Sequence, residues 1–199
     1  MKTRISIICG LLCCAGLAQA GPVSIAPMME VGGSGNIPAP GDASRLELKQ
    51  GGFTVQIKTS GLDLMTPYTV WAVIFNRPQF CQSTPCTSAD FPTSPTHDPR
   101  AEAALVLVTG GLSDSSGNGD FFGRIFRAVN GVSTRPTEWG VGLLNPRKTE
   151  IHVVVRSHGQ PGPGELNAAL NSFNGGCNAA NAVQPVPCLN EQAAIHLAQ

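Results

Sequence analysis

Glycine and proline interrupt this chain so often that no long helix can form. Its 23 Gly and 16 Pro account for 39 of 199 residues, about a fifth, against about 12% in average usage. Proline removes a backbone donor and glycine weakens the interior of any regular element. What survives between them is short, alternating segments. Leu46 and Leu48 alternate with Glu47 and Lys49, and after Gly51-Gly52 the apolar positions become Phe53, Val55 and Ile57. A two-residue period marks half-buried strands, and the change of parity across the glycine pair requires a bulge or tight turn.

Residues 68–75 (YTVWAVIF) are apolar without a break, as expected of a central strand covered on both faces. Further strands are expected over 103–108 (AALVLV), 121–127 (FFGRIFR), 151–156 (IHVVVR) and 193–198 (AAIHLA). Asn118-Gly119 between the first two of these predicts a hairpin. Residues 165–173 (ELNAALNSF), closed by Gly175-Gly176, read as one short helix. Residues 131–147 are irregular, with Trp139 and Leu143-Leu144 tucked against the core. Six to eight short strands and one helix predict an all-β fold, an antiparallel β-sandwich of Ig-like or Greek-key type, with a small β-barrel as the alternative. Residues 45–199 form its single domain, and residues 21–44, rich in Gly, Pro and Ser, read as a flexible or loosely docked arm.

Lys2 and Arg4, an apolar run from Ile5 to Leu17 and Ala18-Gln19-Ala20 read as a cleavable signal peptide over residues 1–20. The product is expected to be exported, to the periplasm or the cell exterior. The apolar run is about 13 residues, below the roughly 20 that cross a bilayer, so no membrane insertion is expected. Only 13% of residues are charged and the formal net charge is +0. Nucleic acid is excluded as a partner, because displacing counterions from phosphates needs clustered Lys and Arg.

Of 7 Cys, Cys9, Cys13 and Cys14 fall in the signal, leaving Cys81, Cys86, Cys177 and Cys188. An even set in an exported chain implies disulfides, with three connectivities available. The expected one is local, Cys81 with Cys86 and Cys177 with Cys188, because short loops close at least entropic cost. A four-thiolate metal site fits neither the Cys177 to Cys188 spacing nor an oxidising compartment.

The densest functional-looking stretch runs from His152 to His158. In a regular strand His152, Val154, Arg156 and His158 share one face. A copper or zinc site is expected, as an alternative reading, from His152, His158 and a cross-strand His196 if the chain turns back at Ser157; otherwise each ring serves to anchor a loop or strand end. Arg156 is a candidate clamp for a small anion, with His158 beside it and Trp71 or Trp139 lining a pocket. The competing expectation is a salt bridge to Glu138, Glu150 or Glu165. Asp114, Ser116, Asn118 and Asp120 imitate a calcium loop, but its twelfth position is Ile125 rather than Glu. Ser157 and His158 do not form a catalytic pair by adjacency.

The strings YTVWAVIFNRPQFC (68–81), GNGDFFGRI (117–125), IHVVVRSHGQPGPG (151–164) and FNGGC (173–177) resemble a group of uncharacterised exported bacterial β-sandwich proteins. The resemblance implies a cysteine-containing secreted domain and no particular activity. At the level of fold alone, the histidine-bearing strands are similar to chordin-like and copper/zinc superoxide dismutase sandwiches. The close H-x-H pair of the dismutases is absent. The leading expectation is a non-enzymatic module that binds a protein or small molecule through its loops and the 152–164 edge.

Overall fold

The computed structural model describes residues 21–177 and 188–199, so the signal-peptide expectation on residues 1–20 lies outside it. Its strands are β1 (Val23–Pro27), β2 (Met29–Glu30), β3 (Ala43–Lys49), β4 (Gly52–Thr59), β5 (Pro67–Phe75), β6 (Ala103–Leu112), β7 (Gly119–Phe126), β8 (Thr137–Trp139), β9 (Glu150–Ser157) and β10 (Leu189–His196), with one helix, α1 (Leu166–Asn171). They form a four-stranded sheet, β1-β3-β4-β7, and a six-stranded sheet, β2-β10-β9-β5-β6-β8. Every strand pairing is antiparallel. The two sheets are not closed into a barrel, so the fold is the expected antiparallel sandwich.

The parity change between Leu48 and Phe53 comes from a tight hairpin. Lys49 pairs with Gly52 across a two-residue turn, which sets Leu48 opposite Phe53 and Leu46 opposite Val55 on the same face. Only glycine fits at position 52, with φ of 155°, because a Cβ there would lie 2.0 Å from the Ile125 carbonyl oxygen.

The core between the sheets joins Leu46, Leu48, Phe53, Val55 and Ile57 to Tyr68, Val70, Ala72, Ile74, Val153 and Val155. A second apolar cluster lies on the outer face of the six-stranded sheet, where Trp71, Val73, Phe75, Leu105 and Leu107 pack with Phe91, Trp139, Val154 and Phe173. This explains the unbroken run in β5. Its even positions from Tyr68 face the sandwich interior, its odd positions from Trp71 face the outer cluster, and all nine residues are buried. Cys81 and Cys86 are disulfide-bonded and belong to that outer cluster, so the bridge anchors the 78–101 excursion over it. Cys177 and Cys188 form the second bridge. Both match the local connectivity.

Two expectations fail. Residues 21–44 are not a loosely docked arm over their first part: β1 pairs along β3 from Val23↔Glu47 to Pro27↔Ala43, and β2 pairs with β10. The alternation of this segment is inverted, so hydrophobic periodicity does not mark it as a strand. Ala26 is buried while Val23 and Ile25 face solvent, so the small residue is the core residue. The hairpin predicted at Asn118-Gly119 is not a paired one. Asp114 does close a turn by accepting the Ser116 and Asn118 amides, but β6 and β7 lie in different sheets. Turn chemistry fixes a reversal of the chain, and packing decides which sheet receives the next strand. Gly123 allows this crossing, since a Cβ there would lie 2.4 Å from Val108 Cγ1.

Candidate functional site

The face shared by His152, Val154 and Arg156 is the outer face of the six-stranded sheet, opposite Ile151, Val153 and Val155. His152 Nε2 bonds Glu150 Oε1 at 2.7 Å, and its ring meets Phe75 edge-on with centroids 5.3 Å apart. Glu150 is buried and also accepts the Cys86 amide at 2.7 Å. The dyad therefore fastens the Cys81–Cys86 loop to β9.

His158 lies at the other end. Its Nε2 bonds Thr69 Oγ1 at 2.7 Å and its Nδ1 bonds the Gly175 carbonyl at 2.7 Å. Thr69 Oγ1 accepts the Trp71 indole N–H at 2.8 Å. A carbonyl can only accept, so His158 carries its proton on Nδ1 and accepts the Thr69 hydroxyl proton at Nε2. The same Nδ1 is 3.4 Å from Cys177 Sγ and 3.3 Å from Cys188 Sγ. Burial is the main reason that its pKa falls to about 4; the Gly175 bond opposes the fall and the Arg156 charge adds to it.

His196 points the opposite way, into the space between the sheets, where Nδ1 and Nε2 bond Ser24 Oγ and Ser44 Oγ, each at 2.9 Å. Burial pushes its pKa down to about 4, with His152 adding to the effect. The expected His152/His158/His196 metal set is therefore not assembled. Phe75 and Thr69, which the first two rings touch, are six strand positions apart, about 20 Å, and the third ring lies on the other face. Among the described residues, the groups whose ligand atoms lie within 4.8 Å of one another are His158/Cys177/Cys188 and Cys81/Cys86/Asp90.

Arg156 is 8% exposed. Its Nε, Nη1 and Nη2 donate to the Phe173 carbonyl at 2.8 Å, Asn190 Oδ1 at 2.8 Å and Asn174 Oδ1 at 3.0 Å, and its plane lies 3.9 Å from the Phe173 ring centroid. None of the expected carboxylates, Glu138, Glu150 or Glu165, pairs with it; among the described residues its partners are neutral oxygens. Burial pushes its pKa down to about 10, with Glu138 opposing. The charge is held by carbonyl dipoles rather than a counterion, and the fork ties the end of α1 to β10.

Two features escaped the sequence. Glu191, 3% exposed, sits at a bulge in β10 between Asn190 and Gln192. Its carboxylate accepts the Tyr68 hydroxyl at 2.9 Å and Asn36 Nδ2 at 2.6 Å. Burial is the chief cause that raises its pKa, and burial likewise raises that of Tyr68, followed by the Glu191 charge. No periodicity announces this site, because the bulge shifts the strand pattern where Asn190, Glu191 and Gln192 stand together. The second feature is the outer face of β7, where Phe122 is 62% and Phe126 48% exposed, with the Arg124 guanidinium 5.6 Å from the Phe126 ring centroid. The FFGRIFR string carries that signal.

The fold and site define a class, a two-sheet antiparallel sandwich with two local disulfides and internally bonded histidines. Comparison with family models, curated proteins and solved structures finds no match for the chain.

Proposed function

We propose that the protein is an exported, non-enzymatic interaction module that takes an added strand from a polypeptide partner along β7. One observation carries this reading: among the described residues, β7 is a long sheet edge with no strand paired on its outer side. The other edges are the two-residue β2, the three-residue β8 and the five-residue β1 ending in Pro27, all forms that resist pairing. Strand β7 has eight residues and no proline.

Its backbone is set up for addition. Arg127 N–H donates to the Gly51 carbonyl, and the β4–β7 register continues that alternation, so Phe121, Gly123 and Ile125 bond β4. The amides and carbonyls of Asp120, Phe122, Arg124 and Phe126 then point outward from the sheet. Their side chains are exposed, so partner and protein would meet through the backbone and a row of two aromatics and two opposite charges. A hollow of about 170 Å³ lined by Lys49, Gly52, Arg124 and Phe126 lies at the end of the strand. It is smaller than the ~300 Å³ of ordinary cofactor pockets and suits a side chain.

Export is supported by the signal-like residues 1–20 and by two disulfides, which persist in oxidising compartments. Among the described residues no helix is long and apolar enough to cross a membrane. The expected 152–164 recognition edge fits less well, because Arg156, Ser157 and His158 are buried.

A photo-cross-linking residue placed at Phe122 in cells that export the protein tests the proposal. A discrete polypeptide adduct, with this chain or another, is expected, and Arg124→Pro should abolish it because proline removes an outward N–H without touching the β4 ladder. Absence of an adduct, or one indifferent to Arg124→Pro, overturns the reading.

A further inference from the structure

The Cys177–Cys188 bridge differs from Cys81–Cys86 in its surroundings. Asp90, the residue grouped with Cys81 and Cys86, has both carboxylate oxygens occupied by the Gln82 and Thr87 amides. Beside Cys177–Cys188 stands a buried imidazole within 3.4 Å of both sulfurs. The ring is fixed from behind by Thr69 and Trp71, and its backbone N–H is held by the Pro67 carbonyl. Gly175 packs closely on α1, where a Cβ would lie 2.2 Å from the Ala168 oxygen, and its carbonyl must give up the Nδ1 bond when a metal takes that nitrogen. The cysteines themselves are only half-buried, so a reductant can approach them from outside while the imidazole stays dry.

The second observation is the uncompensated cation. Arg156, buried and without a carboxylate, is bonded to Phe173, Asn174 and Asn190, which flank the two cysteines in sequence. In the oxidised protein no carboxylate among the described residues is in salt-bridge contact with this charge, and Glu138 acts on it only at longer range. Reduction would supply two anions.

We propose that Cys177–Cys188 is a redox gate over a soft-metal site, in which the two thiolates and His158 Nδ1 hold one Cu(I). An external dithiol gives two electrons and two protons to the bridge and becomes a disulfide; the S–S bond breaks and two thiols form. Binding Cu(I) releases both thiol protons, and the Nδ1 proton passes to Nε2, where Thr69 Oγ1 accepts it in place of donating. Thiolate and imidazole ligands suit this soft d¹⁰ ion. The site is new relative to the histidine set expected from sequence, sharing with it His158 alone.

The test uses the mature, folded protein. Graded dithiol treatment followed by alkylation and mass spectrometry should label Cys177 and Cys188 before Cys81 and Cys86. After anaerobic removal of the dithiol, Cu(I) titration against a chromophoric chelator should show one equivalent bound by the reduced protein and none by the oxidised. Cys177→Ser with Cys188→Ser should abolish binding, and His158→Gln, which offers Thr69 a hydrogen-bonding amide in place of the ring, should weaken it at least tenfold. X-ray absorption should give two sulfur ligands and one nitrogen. Equal labelling of all four cysteines, reduced protein that binds no Cu(I), or oxidised protein that binds equally would overturn the proposal. Loss of the folded circular dichroism on selective reduction would also overturn it.

Discussion

Tyr68 donates its hydroxyl to the Glu191 carboxylate at 2.9 Å, in a space where both residues are buried and no cation among the described residues pairs with the acid. A carboxyl whose pKa is raised on folding binds protons more tightly in the folded state. Its contribution to stability is full below the unfolded value of 4.5 and is lost as pH rises through the folded value. Glu191→Gln should therefore compare more favourably with the parent protein at pH 7 than at pH 4.5. Urea denaturation at the two pH values measures this, and a pH-independent difference would contradict it.

His158 and His196 work in the opposite direction. Each falls from 6.5 to about 4 on folding, so their contribution is present above pH 6.5 and disappears as pH drops toward 4. The two outnumber Glu191, and stability should decline across that window. His196→Gln keeps hydrogen-bonding capacity toward Ser24 and Ser44 and should reduce the slope by about one proton. The urea midpoint followed from pH 7 to pH 4 provides the check.

Thr69 is the hinge of a buried chain of donors. Thr69→Val, equal in volume, would leave the Trp71 indole N–H and His158 Nε2 without partners. Each of these two unsatisfied buried groups costs about 1–3 kcal/mol, so a loss of about 2–6 kcal/mol is expected in chemical denaturation. A loss below ~1 kcal/mol would mean that the relay does not hold the ring.

Gly123→Ala should destabilise by about 1–3 kcal/mol, the usual range for overpacking, because the added Cβ meets the Val108 backbone oxygen at 2.7 Å as well as its Cγ1. The backbone cannot swing aside as a side-chain end would. Gly131→Ala, at a position with φ of 74° and nothing within 4 Å, provides the comparison in which backbone strain acts without a clash. Thermal melts of the two variants separate crowding from conformation.

How legible the fold was depended on whether one rule governed a segment. Strands β3, β4, β5 and β9 were readable because alternation or continuous apolarity matched their burial. Strand β1 was not, since Val23 and Ile25 face water and Ala26 faces the core. Asn118-Gly119 encodes the reversal between β6 and β7 but not a pairing, because sheet membership depends on long-range packing at Gly123. The even face of β9 was foreseen. That His196 looks to the other side, and that Arg156 finds amide oxygens in place of Glu138, Glu150 or Glu165, follows from cross-strand register and from loop residues such as Asn174, which no local pattern encodes.

Residue-resolved amide hydrogen exchange on the dilute, partner-free protein reads directly whether β7 is an open edge. An open edge exchanges in alternation: fast at Asp120, Phe122, Arg124 and Phe126, and slow at Phe121, Gly123 and Ile125, whose amides face β4. Uniform protection along 120–126 would mean that the chain closes this edge itself and that β7 is not free to take a partner strand.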